Sequence, residues 1–220
     1  MDVSSAVEKF LKTIYNLELR HQKASGSNMA SKLNISPAAI TDMAIKLAGQ
    51  GLINYQKHKS ITLTPKGKKI ALLASRKHRL WETFLHRTLN LNLDEIHVEA
   101  ELIEGYTSEF LLGKIDEYLG FPEHDPHGDP IPDKKGVLPE EQAFFPISES
   151  SPGSYQIERL YFESDELNDF FTEYEFKVGD ILELVLIFKM DNALLIKRNK
   201  VTMVISENIG SKILVSKLNE

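Results

Sequence analysis

Two neighbouring strings decide the reading of this chain: Arg76-Lys-His-Arg-Leu-Trp-Glu82 and, after a short polar break, His97-Val-Glu-Ala-Glu-Leu-Ile-Glu104. His78 and Glu82 are four residues apart. Apolar residues at Ile70, Leu73, Leu80, Phe84 and Leu85 give the segment a helical period, so both side chains emerge from one face. In the second string His97, Glu101 and Glu104 fall at i, i+4 and i+7 behind Asp94, a residue suited to an N-cap, which again lines imidazole and carboxylates on one stripe. Any one of these residues alone reads as a solvated polar face. Together, imidazoles and carboxylates on adjacent helices suit a divalent cation such as Mn(II), Fe(II), Co(II) or Zn(II).

Working outward, the 220 residues provide for one large or two to three small domains. The absence of cysteine excludes a disulfide framework and a zinc-thiolate finger, and fits a reducing compartment. No basic-plus-apolar leader and no apolar run near the ~20 residues of a bilayer span are present, so the expectation is a soluble cytoplasmic protein without membrane association. The net charge of −6 hides an asymmetry. Residues 1–80 carry 14 Lys+Arg against 4 Asp+Glu, whereas residues 81–220 carry 12 against 28. A basic N-terminal third on an acidic body reads as a polyanion-binding module, with nucleic acid as the polyanion.

The order of elements supports that reading. Ser5-Ala-Val-Glu8 has capping-box spacing, and Val7, Phe10, Leu11, Ile14 and Leu17 predict a first helix to about Arg20. Gly26 breaks it, a short helix follows from Asn28 to Leu33, and Ser36-Pro37 starts a third helix that ends at Gln50. There Ile40, Met43, Ala44 and Leu47 form the buried stripe. Ser36, Pro37, Ala38, Ala39, Thr41, Asp42 and Lys46 remain for a DNA major groove. Two β-prone runs, Leu52–Gln56 and Ile61–Thr64, flank the basic tip Lys57-His58-Lys59-Ser60, whose Lys57 and Lys59 are expected on phosphates. This pattern is a winged helix-turn-helix.

Thr64-Pro65 opens the helix that carries His78 and Glu82, and an amphipathic region from Leu93 to Leu119 follows, with Gly105 and Gly113 as weak points. Its apolar excess, Trp81 included, predicts a dimer interface. The proline-rich run His124-Asp-Pro-His-Gly-Asp-Pro-Ile-Pro132 reads as an extended structural turn in preference to a second metal site. Short β-runs at Tyr155–Phe162, Ile181–Phe188, Leu194–Arg198, Val201–Ser206 and Ile213–Lys217, with a helix near Asp165–Thr172, predict a small barrel. The expected fold is multidomain and mainly α with β: a winged-helix domain over 1–72, a helical metal-binding and dimerisation domain over 73–138, a linker over 139–152 and a barrel over 153–220.

This order, with the strings Arg76-Lys-His-Arg-Leu80, His97-Val-Glu-Ala-Glu101 and His127-Gly-Asp-Pro-Ile-Pro132, resembles the diphtheria-toxin-repressor family of metal-dependent transcriptional regulators. The resemblance implies a homodimer, an SH3-like barrel, iron(II) or manganese(II) as corepressor, and an ancillary metal site at His78, Glu82 and His97, joined by Glu163 and Glu166. It implies a primary site at Glu101 and Glu104. There Gly105 stands where a His is expected, and Lys9 where the first helix would offer a ligand. From this departure the sequence predicts that Lys9 bridges to Glu101 or Glu104 in place of an ion.

No nucleophile–base pair, phosphate-binding glycine loop or His-Glu-x-x-His string appears, so the chain does not read as an enzyme. The function expected is a Mn- or Fe-dependent repressor of metal-homeostasis genes on a palindromic double-stranded DNA operator, with Zn(II) or Co(II) able to bind in vitro. The alternatives are a metal-independent winged-helix repressor and a carboxylate/histidine metalloenzyme, the latter needing an open coordination position for water.

Overall fold

Helix α1 (Ser5–Leu19) forms because Val7, Phe10, Leu11, Ile14 and Leu17 recur at helical spacing and pack into one apolar cluster. Its N-cap is Ser4, whose side chain makes no capping bond, so the box expected at Ser5 and Glu8 is not formed. The computed structural model describes residues 3–57, 59–140, 143–162 and 164–218. These divide into two compact units: Met1–His78 with Ile103–Leu112 and Ile131–Pro139, and Arg79–Leu102 with Gly113–Pro130 and Glu140–Glu220.

In the first unit, α2 (Gly26–Leu33) begins at the glycine expected to act as a breaker, because the Ser25 hydroxyl accepts from the Asn28 N–H at 3.2 Å and supplies the cap. Asn34 turns the chain in the left-handed region, φ 52°, into α3 (Pro37–Gly49). The wing is a short antiparallel pair, β1 (Ile53–Asn54) with β2 (Thr62–Leu63). Its tip residue His58 lies outside the described residues. Helix α4 (Pro65–Leu89) starts where Thr64 Oγ1 accepts from the Gly67 N–H at 3.1 Å. A Cβ at Gly67 would sit 1.9 Å from the Leu52 carbonyl oxygen, so only glycine allows this approach. The core joins α1 to Met29, Ile40, Ala44, Leu47, Leu52, Ile61 and Ala71.

The expected helical region from Leu93 to Leu119 is two helices, α5 (Leu93–Glu104) and α6 (Glu109–Tyr118). The break falls at Gly105, where Ser108 Oγ recaps the chain by accepting from the Leu111 N–H at 3.2 Å, while Gly113 stays inside α6. Helix α5 starts before Asp94: Glu95 Oε2 accepts from the Asn92 N–H at 2.8 Å, one half of a capping box.

The second unit holds a six-stranded antiparallel sheet in the order β3-β8-β4-β5-β6-β7. Its strands are β3 (Phe145–Pro146), β4 (Gly153–Leu160), β5 (Ile181–Ile187), β6 (Leu194–Arg198), β7 (Val201–Ile205) and β8 (Ile213–Lys217). The β domain expected here is this sheet, but β3 and β7 end the order, so strand pairing does not close it into the barrel read from the sequence. Strand β3 and a 3-10 turn at Ile147–Glu149 lie in the stretch read as linker; Ile147 is fully buried and joins the core. Alternation along β5 buries Leu182 and Leu184 against Phe171 and Phe176, which come from α7 (Asp165–Glu173) and the turn after it. A short α8 (Glu207–Gly210) is capped by Ser206.

Candidate metal centre and nucleic-acid interface

On α4, His78 and Glu82 are one turn apart, and both are buried, with 7% and 2% of their surface exposed. In the second unit, His97 on α5 brings Nδ1 to 3.1 Å from Glu82 Oε1. Two residues from the proline-rich run face the same carboxylate. His127 Nδ1 lies 3.7 Å from Glu82 Oε2 and 4.0 Å from Asp125 Oδ1, and the three groups are near enough to share one ion. Guanidinium groups already balance this cluster: Arg79 lies 3.8 Å from Asp125 and 3.7 Å from Asp129, and Arg159 3.2 Å from Asp129.

The run is also held as a turn by its own hydrogen bonds. Asp125 Oδ1 accepts the N–H groups of His127 and Asp129 at 2.8 and 2.9 Å, and the Leu160 N–H donates to the His127 carbonyl at 3.0 Å. Burial depresses the His127 imidazole, yet the charges of Glu82, Asp125 and Asp129 outweigh it and raise the group to about 9. Burial pushes the Asp125 carboxyl up, and Asp129's charge adds to that. The sequence reading missed Asp125 and His127 as neighbours of Glu82, and Arg159 as the partner of Asp129. A signal was there for Arg159, which falls on the inward phase of β4 with Tyr155 and Ile157, where a charged residue demands a buried partner.

Glu104 has both oxygens engaged within the first unit. Lys12 Nζ donates to Oε1 at 2.7 Å and to Oε2 at 2.9 Å, and His78 Nδ1 stands 2.7 Å from Oε2. Burial alone would raise this carboxyl, but the hydrogen bonds and charges of His78 and Lys12 outweigh it and hold the group at about 2. The lysine that reaches Glu104 is Lys12, where the sequence reading named Lys9 for Glu101 or Glu104. Helical phase explains the place of Lys12, which sits on the buried stripe of α1 while Lys9 is half-buried. Glu101 is exposed on α5. Glu163 lies outside the described residues. Glu166 is exposed in the first turn of α7, and among the described residues the side chains grouped around Glu82 do not include it.

On α3, Ser36 Oγ accepts from the Ala39 N–H at 3.2 Å and Pro37 takes the first helical position. Ile40, Ala44 and Leu47 are buried, leaving Pro37, Ala38, Thr41, Asp42 and Lys46 exposed; Ala39 and Met43 are half-buried. Ile45, which the sequence reading passed over, is 58% exposed on the same helix. An open groove of about 810 Å³ brings Thr41 together with Lys57 and Lys59 of the wing, and with Lys23, Ser27 and Tyr55. That gathers hydroxyl, ammonium and aromatic groups along one open groove, chemistry suited to phosphate oxygens.

Comparison with known proteins agrees with this arrangement. Residues 2–61 match the N-terminal DNA binding domain of iron dependent repressors, and residues 64–133 match the iron dependent repressor metal binding and dimerisation domain. The HTH-type transcriptional regulator MntR of Lysinibacillus sphaericus is 31% identical over 55% of this chain and 86% of its own length. The chain belongs to the iron-dependent repressor family. The iron-dependent repressor IdeR of Mycobacterium bovis is 31% identical over 63% of this chain and 61% of its own length. A manganese-dependent transcriptional repressor solved in complex with manganese superimposes with a TM-score of 0.88 at 29% identity, covering 96% of this chain and 100% of that one. The manganese regulator SloR gives 0.82 at 31% identity over 99% and 100%. The chain spans 58% and 57% of the length of the diphtheria toxin repressor of Corynebacterium glutamicum and the IdeR of Mycobacterium leprae.

Proposed function

We propose that this protein is a homodimeric transcriptional repressor of metal-homeostasis genes that binds a palindromic double-stranded operator more tightly when a divalent metal, Mn(II) or Fe(II), is present. The observation that carries the reading is the 3.1 Å approach of His97 to Glu82, which joins an imidazole from α5 to the buried His78–Glu82 turn of α4. The donor set fits the ion: neutral imidazole and carboxylate without thiolate suit Mn(II), Fe(II), Zn(II) and Co(II). His78, Glu82 and His97 would hold it, with Glu163 and Glu166 as further carboxylates from the β domain. Once bound, the metal would supply a fixed positive charge, and His78, Glu82 and His97 would be held around it. The reading is that of a regulator and not an enzyme, and membership of the repressor family supports it.

DNA would meet α3 through Ser36, Pro37, Ala38, Ala39, Thr41, Asp42 and Lys46, with Lys57 and Lys59 on phosphates. Dimerisation is supported by the apolar side chains on α5, where Val98 and Leu102 are 59% and 63% exposed at i, i+4. The test is selection of an operator from random duplex DNA in Mn(II), followed by gel-shift titration in Mn(II), Fe(II) and EDTA. Affinity should fall by about 5–150-fold in EDTA. Failure to select any sequence, or identical affinity in all three conditions, overturns the reading.

A further inference from the structure

Carboxylates at Glu101 and Glu104 suggest an ion between α1 and the end of α5, as the family resemblance implies for a primary site. The residues present do not fit one. Lys12 is only 5% exposed, and its ammonium already bonds both Glu104 oxygens at 2.7 and 2.9 Å. The second oxygen also receives His78 Nδ1 at 2.7 Å. The position after Glu104 is Gly105, which offers no ligand, and a Cβ there would come within 2.9 Å of Ser5 Oγ and displace that hydroxyl. A divalent cation approaching Glu104 would meet an ammonium, and displacing that ammonium would leave a buried lysine without its carboxylate.

We propose that Lys12 is a built-in cation occupying the place of a metal ion at Glu104, so that the contact of α1 with the end of α5 is made by the protein's own charges. A second pair on the same face of α1 fits this role. Glu8, one turn before Lys12, accepts from Lys77 Nζ of α4 at 3.1 Å. Helix α1 thus offers an acid to a base on α4 and a base to an acid at the end of α5, which sets its register in the first unit. Glu104 in turn bonds His78, so the lysine also orients an imidazole by fixing the carboxylate that holds it. The inference concerns α1, α4 and Glu104 alone and stands apart from the repressor reading.

The test uses the full chain and no DNA, so its failure is distinct from failure of the repressor reading. Wild type, Lys12→Met, Lys12→Arg and Lys12→Glu are melted in EDTA and in Mn(II), and bound manganese is counted after equilibrium dialysis. In EDTA, Lys12→Met should melt roughly 5–10 °C below wild type, and Lys12→Arg should recover most of that loss. Lys12→Glu puts a second carboxylate beside Glu104. It should melt low in EDTA, regain its melting temperature in Mn(II), and hold one more Mn(II) per chain than wild type. Equal manganese counts for wild type and Lys12→Glu overturn the proposal, as does Lys12→Met melting with wild type in EDTA. Should Lys12→Met not fold, the Lys12→Glu count decides alone.

Discussion

His78 Nδ1 stands 2.7 Å from Glu104 Oε2, so the imidazole on α4 is oriented by a carboxylate from the end of α5. A partner of this kind fixes the tautomer and orientation of the ring and raises its basicity as a ligand. Glu104→Gln should therefore weaken Mn(II) binding by ~10–100-fold, read by calorimetric titration. Unchanged affinity would show that His78 needs no such support.

The same carboxylate sets an acid limit on stability. Held at about 2 against an ordinary 4.5, Glu104 contributes stability that is complete above pH 4.5 and is lost as pH falls from there through 2. The loss amounts to on the order of 2–3 kcal/mol. Urea titrations of wild type and Glu104→Gln should differ most above pH 4.5 and converge toward pH 2. A constant difference across that window would remove the charge from the account.

The wing is expected to act through charge. Replacing Lys57 and Lys59 with Ala should weaken binding about equally on all duplexes and flatten the slope of log K against log salt by roughly one to two. An unchanged slope in a salt titration would take the wing out of the interface.

Leu102→Glu tests the dimer. This side chain is 63% exposed within one chain and lies on the apolar stripe of α5, so a carboxylate there should convert a dimer to monomer in sedimentation analysis without lowering helical content. A dimer that survives would move the interface elsewhere.

Gly128→Ala probes the turn that seats His127. At φ +86° a Cβ would come within 2.0 Å of the Glu158 carbonyl oxygen, and both strain and collision oppose it. The variant should lose about 2–4 kcal/mol in chemical denaturation. A loss below about 0.5 kcal/mol would mean that the turn is not tightly held.

Much of this protein follows from local rules that need no tertiary structure. Ser36-Pro37 starts α3 where it does because the cap and the proline act within one turn. The helical phase of His78 and Glu82, and the inward alternation of β5, come from backbone periodicity. The errors differ in reach, one resting on an adjacent residue and the other on a strand distant in sequence. Gly26 begins a helix because Ser25 caps it, and Phe145-Pro146 is a strand because β8 lies beside it.

The amino-acid order by itself determined the winged helix, the periodicity that faces His78 and Glu82 the same way, and the charge division between the two ends of the chain. Only the tertiary structure decided that Lys12, 92 residues from Glu104, is the cation that meets it, and that His127 and Asp125 come to Glu82. The physical reason is that buried charge must find a counter-charge in space. Helical phase names the face from which each side chain points, but packing alone selects the partner it reaches.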